Sequence, residues 1–443
     1  RDAPTLSRHH HVIYLGPADR APANPFGNRR EEWRIERMKV LIFTQYFWPE
    51  TFGINALTRK LRDQGVEVTV MTGKPNYPEG SVFAGYSAWG TSRESCDGIE
   101  VLRLPLFPRG KRSSLRLLLN YLSFIVAGTV LGPWVLRHRT FDAVFVYAPS
   151  PLLQALPAIW LARLKRAPMA LWVQDLWPES LSATGFVRNQ RALALVALVV
   201  RFIYRHTDRV LVPSEAFRAP IQALTNGSAD IRYYPNAWVE EPSTDPPVGV
   251  EALAKEIASG FSVVFAGNLG AAQSLDTILD AAERLLQEGS DVRFFLIGSG
   301  SLSAWLSEEI RRRGIRNVQM PGRFPPTAMQ LLYAAAGALL VSLRDEPIFA
   351  YTIPSKLQGY LAAGRPVIAS LNGEGARVVT EAGAGVSCSA GSASALAAAV
   401  GSLAEMDSAA LDKMGDNARR YALAYFSLDR LTDVLVEQLQ ELV

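Results

Sequence analysis

Three glycine-bearing turns in the second half of the chain carry the strongest chemical signal. The first, FSVVFAGNLGAAQSL (Phe261–Leu275), is a buried strand running through Gly267 into small residues that open a helix predicted over Ser274–Gln287. The first amides of such a helix have no partner within it and point outward with partial positive charge, which suits a phosphate. FFLIGSG (Phe294–Gly300) and SLNGEG (Ser370–Gly375) repeat the strand–glycine arrangement. Three such turns at the carboxyl ends of parallel strands outline a nucleotide crevice, where Gly267, Gly298 and Gly300 would serve through close approach of the backbone. Glycine-rich α/β connections also arise from packing alone, so cations nearby matter. Lys356 follows Pro354 and Ser355 at a helix start, where dipole and ammonium would add on one phosphate; a solvated lysine is the plainer alternative. Arg344 in LRDEP leaves the end of strand Ala338–Ser342, free for a phosphate or paired with Asp345 or Glu346.

The first half offers carboxylates instead. Asp175 and Glu179 in VQDLWPES follow the very apolar stretch Ala170–Val173. A carboxylate at that mouth accepts a hydrogen bond from a substrate hydroxyl or caps the next turn. Tyr77 and Glu79 in NYPEG occupy another such loop, and Gly53 follows the first strand. Glu374 in NGEGAR is placed to accept hydrogen bonds from a ligand or to act as a favourable first-turn acid. Arg323 in PGRFPP stands after another strand end, with a surface role equally open. His206 ends a helix, His138 lies in a basic segment, and no Ser–His–Asp or Cys–His pairing supports hydrolysis. Cys96 and Cys388 lack metal-ligand spacing and suit a reducing compartment.

These residues need a frame, and the apolar pattern supplies one. Short runs (Val40–Thr44, Val66–Thr72, Ile99–Leu106, Ala143–Val146, Ala170–Val173, Arg209–Val212, Ile231–Tyr234) alternate with longer helical stretches, which predicts βαβ units and a doubly wound parallel sheet. The pattern lapses at PNAWVEEPSTDPPVG and resumes as Ser262–Ala266, Val292–Ile297, Val318–Met320, Ala338–Ser342, Pro366–Ala369 and Gly385–Ser387. At 443 residues two domains are expected: 38–236, a linker at 237–260, 261–426, and a closing helix at 427–443. Two such domains facing a cleft suit a two-substrate enzyme. Residues 1–37 lack apolar periodicity and read as an extension before a natural start at Met38. A net charge of +4 without a basic block gives no nucleic-acid footprint.

Within KRSSLRLLLNYLSFIVAGTVLGPWVLRHR (Lys111–Arg139), the apolar stretch Leu115–Leu136 meets the length criterion for a membrane span. Arg116, Asn120 and Pro133 inside it, and a strand of the same sheet on either side, oppose spanning. An in-plane helix held against anionic lipid by Lys111, Arg112, Arg116, Arg137 and Arg139 is the expectation, with a buried core helix as the alternative.

QYFWPETFG, TGKPNYPEG, VQDLWPES, GNLGAAQSLD and IPSKLQGYLAAGRPVIA, in this order, resemble the retaining glycosyltransferase family 4 over Met38–Val443. Within it the chain is similar to the branch that transfers fucose-type sugars during bacterial polysaccharide assembly, the L-N-acetylfucosaminyl and colanic-acid fucosyl transferases. The resemblance implies an α/β GT-B fold of two Rossmann-like domains, the C-terminal helix packing back toward the N-terminal one. It also implies a nucleotide sugar in the C-terminal domain (UDP favoured over GDP) and a lipid-linked glycan acceptor in the N-terminal one. Retention, no cofactor and no obligatory metal follow from it too, and no Asp-x-Asp motif appears. The expected setting is the cytoplasmic face of the cell membrane. On this reading Asp175, Lys356 and Glu374 are catalytic. Gly53, Gly267, Asn268, Gln273, Gly298, Gly300, Arg323, Arg344, Pro354 and Ser355 bind the donor with Lys356 and Glu374. Tyr77, Glu79, Asp175 and Glu179 bind the acceptor. The chain also departs from the family pattern. Asn268 and Gln273 stand where Arg and Lys commonly neutralise the pyrophosphate, and Gly359 and Tyr351 stand where a spaced Glu pair is usual. Lys356 and Arg344 become the substitute cations. A transferase with another UDP- or GDP-sugar and a soluble acceptor, or a catalytically silent membrane-bound scaffold, are the rival readings.

Overall fold

The computed structural model describes residues 38–110, 114–183, 187, 189–239 and 249–443. The expected N-terminal extension, Lys111 and Arg112 lie outside them. The chain divides into two compact units: residues 38–239 joined by Phe426–Val443, and residues 249–425.

The first unit is built on eight strands: β1 (Lys39–Phe43), β2 (Glu67–Gly73), β3 (Ser92–Cys96), β4 (Ile99–Leu104), β5 (Ala143–Ala148), β6 (Met169–Val173), β7 (Arg209–Val212) and β8 (Ile231–Tyr233). They lie in the order β3-β4-β2-β1-β5-β6-β7-β8. All neighbours are parallel except β3 and β4, which form an antiparallel edge pair. The apolar runs make parallel strands because both faces are covered by helices. Edge strand β3, SRESC, shows no apolar alternation and is absent from the expected strands; its charges suit an edge that must not pair with another chain. Strand order reverses between β1 and β5, so the loops after them diverge and leave a crevice at the carboxyl ends.

The helix Gly53–Asp63 and the C-terminal helix Leu428–Gln440 cover one face. Leu431, Leu435 and Leu439 of the latter are buried in the same cluster as Val40, Leu57 and Phe145. Tyr234 Oη donates to the Leu431 carbonyl at 3.0 Å, and Arg209 reaches the Gln438 carbonyl and Glu441. The chain's last segment thus completes the first unit's core, as expected.

On the other face lie Ser114–Val135, Ala155–Lys165 and Gln190–Arg205, side by side. The first is helical throughout, through Pro133 as well. It buries only a stripe, Asn120, Phe124, Ala127, Gly128 and Gly132. A Cβ on Gly128 would meet Pro157 at 2.8 Å, so that glycine permits close packing on the second helix. Asn120 anchors the helix: its Oδ1 accepts from Gln45 Nε2, and its Nδ2 donates to the Phe107 carbonyl, both at 2.7 Å. Leu115, Leu118, Leu119, Leu122, Val126, Val130 and Trp134 are exposed. Arg139, expected among the lipid-facing cations, is instead paired with Glu100, and Arg137 lies over the Trp134 ring.

The second unit holds β9 (Ser262–Asn268), β10 (Arg293–Ser299), β11 (Val318–Gly322), β12 (Ala338–Ser342), β13 (Val367–Ser370) and β14 (Gly385–Cys388). They form a fully parallel sheet in the order β11-β10-β9-β12-β13-β14. Its order reverses between β9 and β12. Helix Val250–Ala258 forms within the segment expected to be a linker. Val250 and Ile257 are fully buried, which is the apolar spacing that the surrounding Pro-rich text obscured.

Candidate functional site

In the second unit, β9 and β10 run in register, pairing Gly267 with Gly298 and Asn268 with Ser299. Both glycines have positive φ, +140° and +139°, and a Cβ on Gly298 would stand 1.9 Å from the Gly267 carbonyl oxygen. The two turns are pressed backbone to backbone, and only hydrogen fits at position 298. A Cβ on Gly300 would likewise lie 2.4 Å from the Leu269 carbonyl oxygen. Beyond them Ala271–Gln273 makes a short 3-10 turn, and Ser274 (φ +49°) precedes the helix Leu275–Gln287, which begins one residue later than expected. A non-glycine residue held at positive φ where a helix begins is a strained position of the kind that clusters at binding sites.

Lys356 is the second residue of helix Ser355–Ala362. Its Nζ donates to Gln273 Oε1 at 2.5 Å and lies 3.8 Å from the centre of the Phe265 ring. A Cβ on Gly267 would stand 3.3 Å from the same nitrogen. The ammonium therefore reaches Gln273, one of the two positions where a phosphate-neutralising cation is expected and missing. It is half-buried, and among the described residues no carboxylate pairs with it. Burial alone lowers its pKa to about 7. A partly desolvated cation without a counter-ion, beside two close-packed turns, is suited to an anion.

Tyr360, one turn further on, secures the strand beneath. It is fully buried; its hydroxyl accepts from the Ala266 amide at 2.7 Å and donates to the Ala266 carbonyl at 3.1 Å. Sequence reasoning missed Tyr360, Phe265 and Ser274; the positive φ of Ser274 has no sequence signal, and the other two act across long separations.

Arg344 is exposed just beyond β12, and its amide donates to the Ala272 carbonyl at 3.0 Å, which ties its loop to the 3-10 turn. The alternative ion pair does not form: Asp345 instead accepts from Asn372. Glu374 is buried at the start of helix Glu374–Ala382 and accepts two hydrogen bonds from Arg377, at 2.9 and 3.1 Å. Gly373, just before it, has φ +76°, and a Cβ there would stand 2.0 Å from the Ala350 carbonyl oxygen. Pro354 and Ser355 open the helix that carries Lys356, Asn268 is exposed between the first two turns, and Arg323 is exposed beyond β11. Among the described contacts of this unit, none ties Arg323 to the three turns.

In the first unit, Tyr77 packs at a tilt against Tyr46 and Phe52 (ring centres 5.7 and 5.3 Å apart), with the Arg109 guanidinium 5.0 Å above its ring. The loops carrying Tyr77 and Arg109 are stitched together by the Gly110 amide on the Gly80 carbonyl at 2.7 Å. Glu50 pins this wall: its Oε1 accepts from the Asn76 and Tyr77 amides at 2.8 and 2.7 Å, and its Oε2 from Phe47 at 3.3 Å. Burial raises its pKa to about 7 against those three bonds. Asp175 follows β6, half-buried, with its pKa raised by burial and partly lowered by a hydrogen bond from Ser150. Glu179 starts helix Glu179–Ala183, its pKa raised by burial and its Oε2 without a hydrogen-bond partner among the described residues. Glu79 and Gly53 are exposed; no atom lies within 4 Å of where a Cβ on Gly53 would be, so packing does not demand a glycine there. Glu50 and Arg109 were not expected.

Two doubly wound parallel units of this kind define a GT-B fold, and solved structures share it. The sucrose-phosphate synthase of Thermosynechococcus elongatus superposes with a TM-score of 0.69 at 16% identity, covering 92% of this chain and 99% of that one. HepE of Anabaena, solved in complex with UDP, gives 0.65 at 16% identity, covering 91% and 100%. An E. coli trehalose-6-phosphate structure bound with UDP-2-fluoro glucose gives 0.67 at 11%, covering 91% and 99%. In sequence, residues 53–237 match the glycosyl transferase 4-like domain and residues 260–406 match the glycosyl transferases group 1. A relative in Escherichia coli (strain K12), WcaI, provisionally assigned as a colanic acid biosynthesis glycosyl transferase, is 27% identical over 348 residues, 74% of this chain and 82% of that protein. The chain is a glycosyltransferase.

Proposed function

We propose that the protein transfers a fucose-type sugar, with retention, from a nucleoside diphosphate donor to a lipid-linked polysaccharide precursor at the inner face of the cell membrane. The observation that carries the donor half is the Lys356 ammonium, unpaired by any described carboxylate and in contact with Gln273 beside the Gly267 turn. As the bond from the anomeric carbon to phosphate breaks, negative charge builds on the diphosphate. Lys356 and the amides of the turns meet it; losing one well-placed donor costs about 3 kcal/mol of barrier in other enzymes. Arg344 adds charge from the loop tied to that turn. The acceptor hydroxyl attacks the same face, its proton passing to the departing phosphate oxygen, while Asp175 holds the hydroxyl by a hydrogen bond. Glu374, clamped by Arg377, orients the sugar hydroxyls.

UDP in HepE and the UDP-sugar in the trehalose-6-phosphate structure support a uridine donor, and WcaI supports polysaccharide assembly. The exposed apolar helix 114–135 supports a lipid-linked acceptor met at a membrane surface, an apolar face lying in the interface. A silent scaffold would have no need of a desolvated cation at the first turn. Screening nucleotide sugars for turnover with extracted lipid-linked oligosaccharide tests the reading: product with one UDP- or GDP-fucose-type donor is expected, and turnover only with soluble acceptors overturns its lipid half.

A further inference from the structure

Away from the transfer loops, the first unit holds a cavity of about 420 Å³ at the amino ends of β6 and β7, where helices 155–165 and 190–205 terminate. Arg163, Arg166, Arg205 and His206 line it together with Asp208. The three arginines are exposed, and among the described residues no carboxylate pairs with their guanidinium groups. Asp208, the acid of the lining, accepts from the Met169 amide at 2.7 Å, and His206 Nδ1 lies 2.7 Å from the Phe202 carbonyl.

Helix dipoles favour a basic residue in each last turn. They do not account for a further arginine at Arg166, which takes the left-handed conformation (φ +54°) usually given to Gly or Asn. Nor do they account for three unpaired guanidinium groups converging on one cavity. The same two helices expose Trp160, Leu164, Leu198 and Phe202, and the Phe202 ring centre lies 4.0 Å from that of His206. A cationic cavity bordered by apolar side chains matches one chemistry, a phosphate headgroup carrying acyl chains. We infer that this cavity binds the headgroup of an anionic phospholipid and makes the membrane contact headgroup-selective. The inference rests on the membrane reading above; the acyl chains lie along the apolar helices and the phosphate enters among the arginines.

Flotation of the full chain with phosphatidylcholine vesicles, and with vesicles of equal parts phosphatidylcholine and phosphatidylglycerol, tests it. The native chain should prefer the anionic vesicles, and the triple variant Arg163→Gln, Arg166→Gln, Arg205→Gln should lose roughly 100-fold in affinity for them, about fivefold per arginine. Its circular dichroism and its binding to neutral vesicles should not change. An undiminished preference in the triple variant, or equal native binding to both vesicles, overturns the headgroup site alone. Native chain that floats with neither vesicle overturns the membrane reading and this inference with it. Saturable binding of inorganic phosphate, lost in the triple variant while vesicle preference persists, identifies a free-anion site and likewise overturns it.

Discussion

Lys356 is a cation placed where folding alone would not put one. Its ordinary value of 10.5 falls to about 7 on burial. Between those values the unfolded chain holds a proton that the folded chain lacks. The penalty is therefore complete below pH 7 and fades as pH rises to 10.5. Lys356→Met should raise the melting temperature at pH 7 by about 2–4 °C, the span expected for a kcal/mol in a domain of this size, while weakening nucleotide binding. An unchanged or lowered melting temperature would mean that burial of the ammonium costs the fold nothing. Bound diphosphate restores the charge, so calorimetry at pH 8 in buffers of different ionisation enthalpy should show proton uptake, and affinity should weaken as pH climbs above about 7. Glu50 works in the opposite sense. Burial raises its pKa from 4.5 to about 7, so its carboxylate costs stability increasingly as pH rises through that window. Its three amide bonds still need an acceptor: Glu50→Gln turns one oxygen into a donor facing an amide and should cost about 1–3 kcal/mol in denaturant titrations. Lys356 was legible because a lysine after Pro-Ser at a helix start has a stated chemistry. Tyr360 was not, because its partner Ala266 is 94 residues away, and neither was Glu50, whose amide partners Asn76 and Tyr77 lie 26 and 27 residues on.

At the scale of elements, helix 114–135 passes a length test for spanning yet is held to its unit by polar contacts, those of Asn120 and Ser123 among them. Asn120→Ala strands the Gln45 amide and the Phe107 carbonyl, and should cost about 1–3 kcal/mol in chemical denaturation. Replacing Leu118, Leu122, Val126 and Val130 by Ser should leave circular dichroism and nucleotide affinity intact while abolishing recovery with vesicles; recovery unchanged would show that this exposed face contacts no membrane. Thirteen of the fourteen strands were legible as apolar runs, because strands buried on both faces need no alternation. Strand β3 escaped because an edge strand is written in polar residues, and helix Val250–Ala258 because it follows a Pro-rich stretch that reads as a boundary.

For the whole molecule, the chain's closing segment belongs to its first unit. Removing 427–443 takes Leu431, Leu435 and Leu439 out of the first core and should yield an insoluble or partly unfolded first unit, by proteolysis and near-ultraviolet dichroism, while 249–425 stays protected. The central claim is that the second unit holds a diphosphate with main-chain turns and one displaced cation. Isothermal titration of UDP into the native chain and into Lys356→Ala tests it most directly. The account predicts measurable binding to the native chain, weakened about 10–100-fold by the loss of one charged hydrogen-bond donor, with the fold unchanged. UDP binding to Lys356→Ala as tight as to the native chain would contradict it.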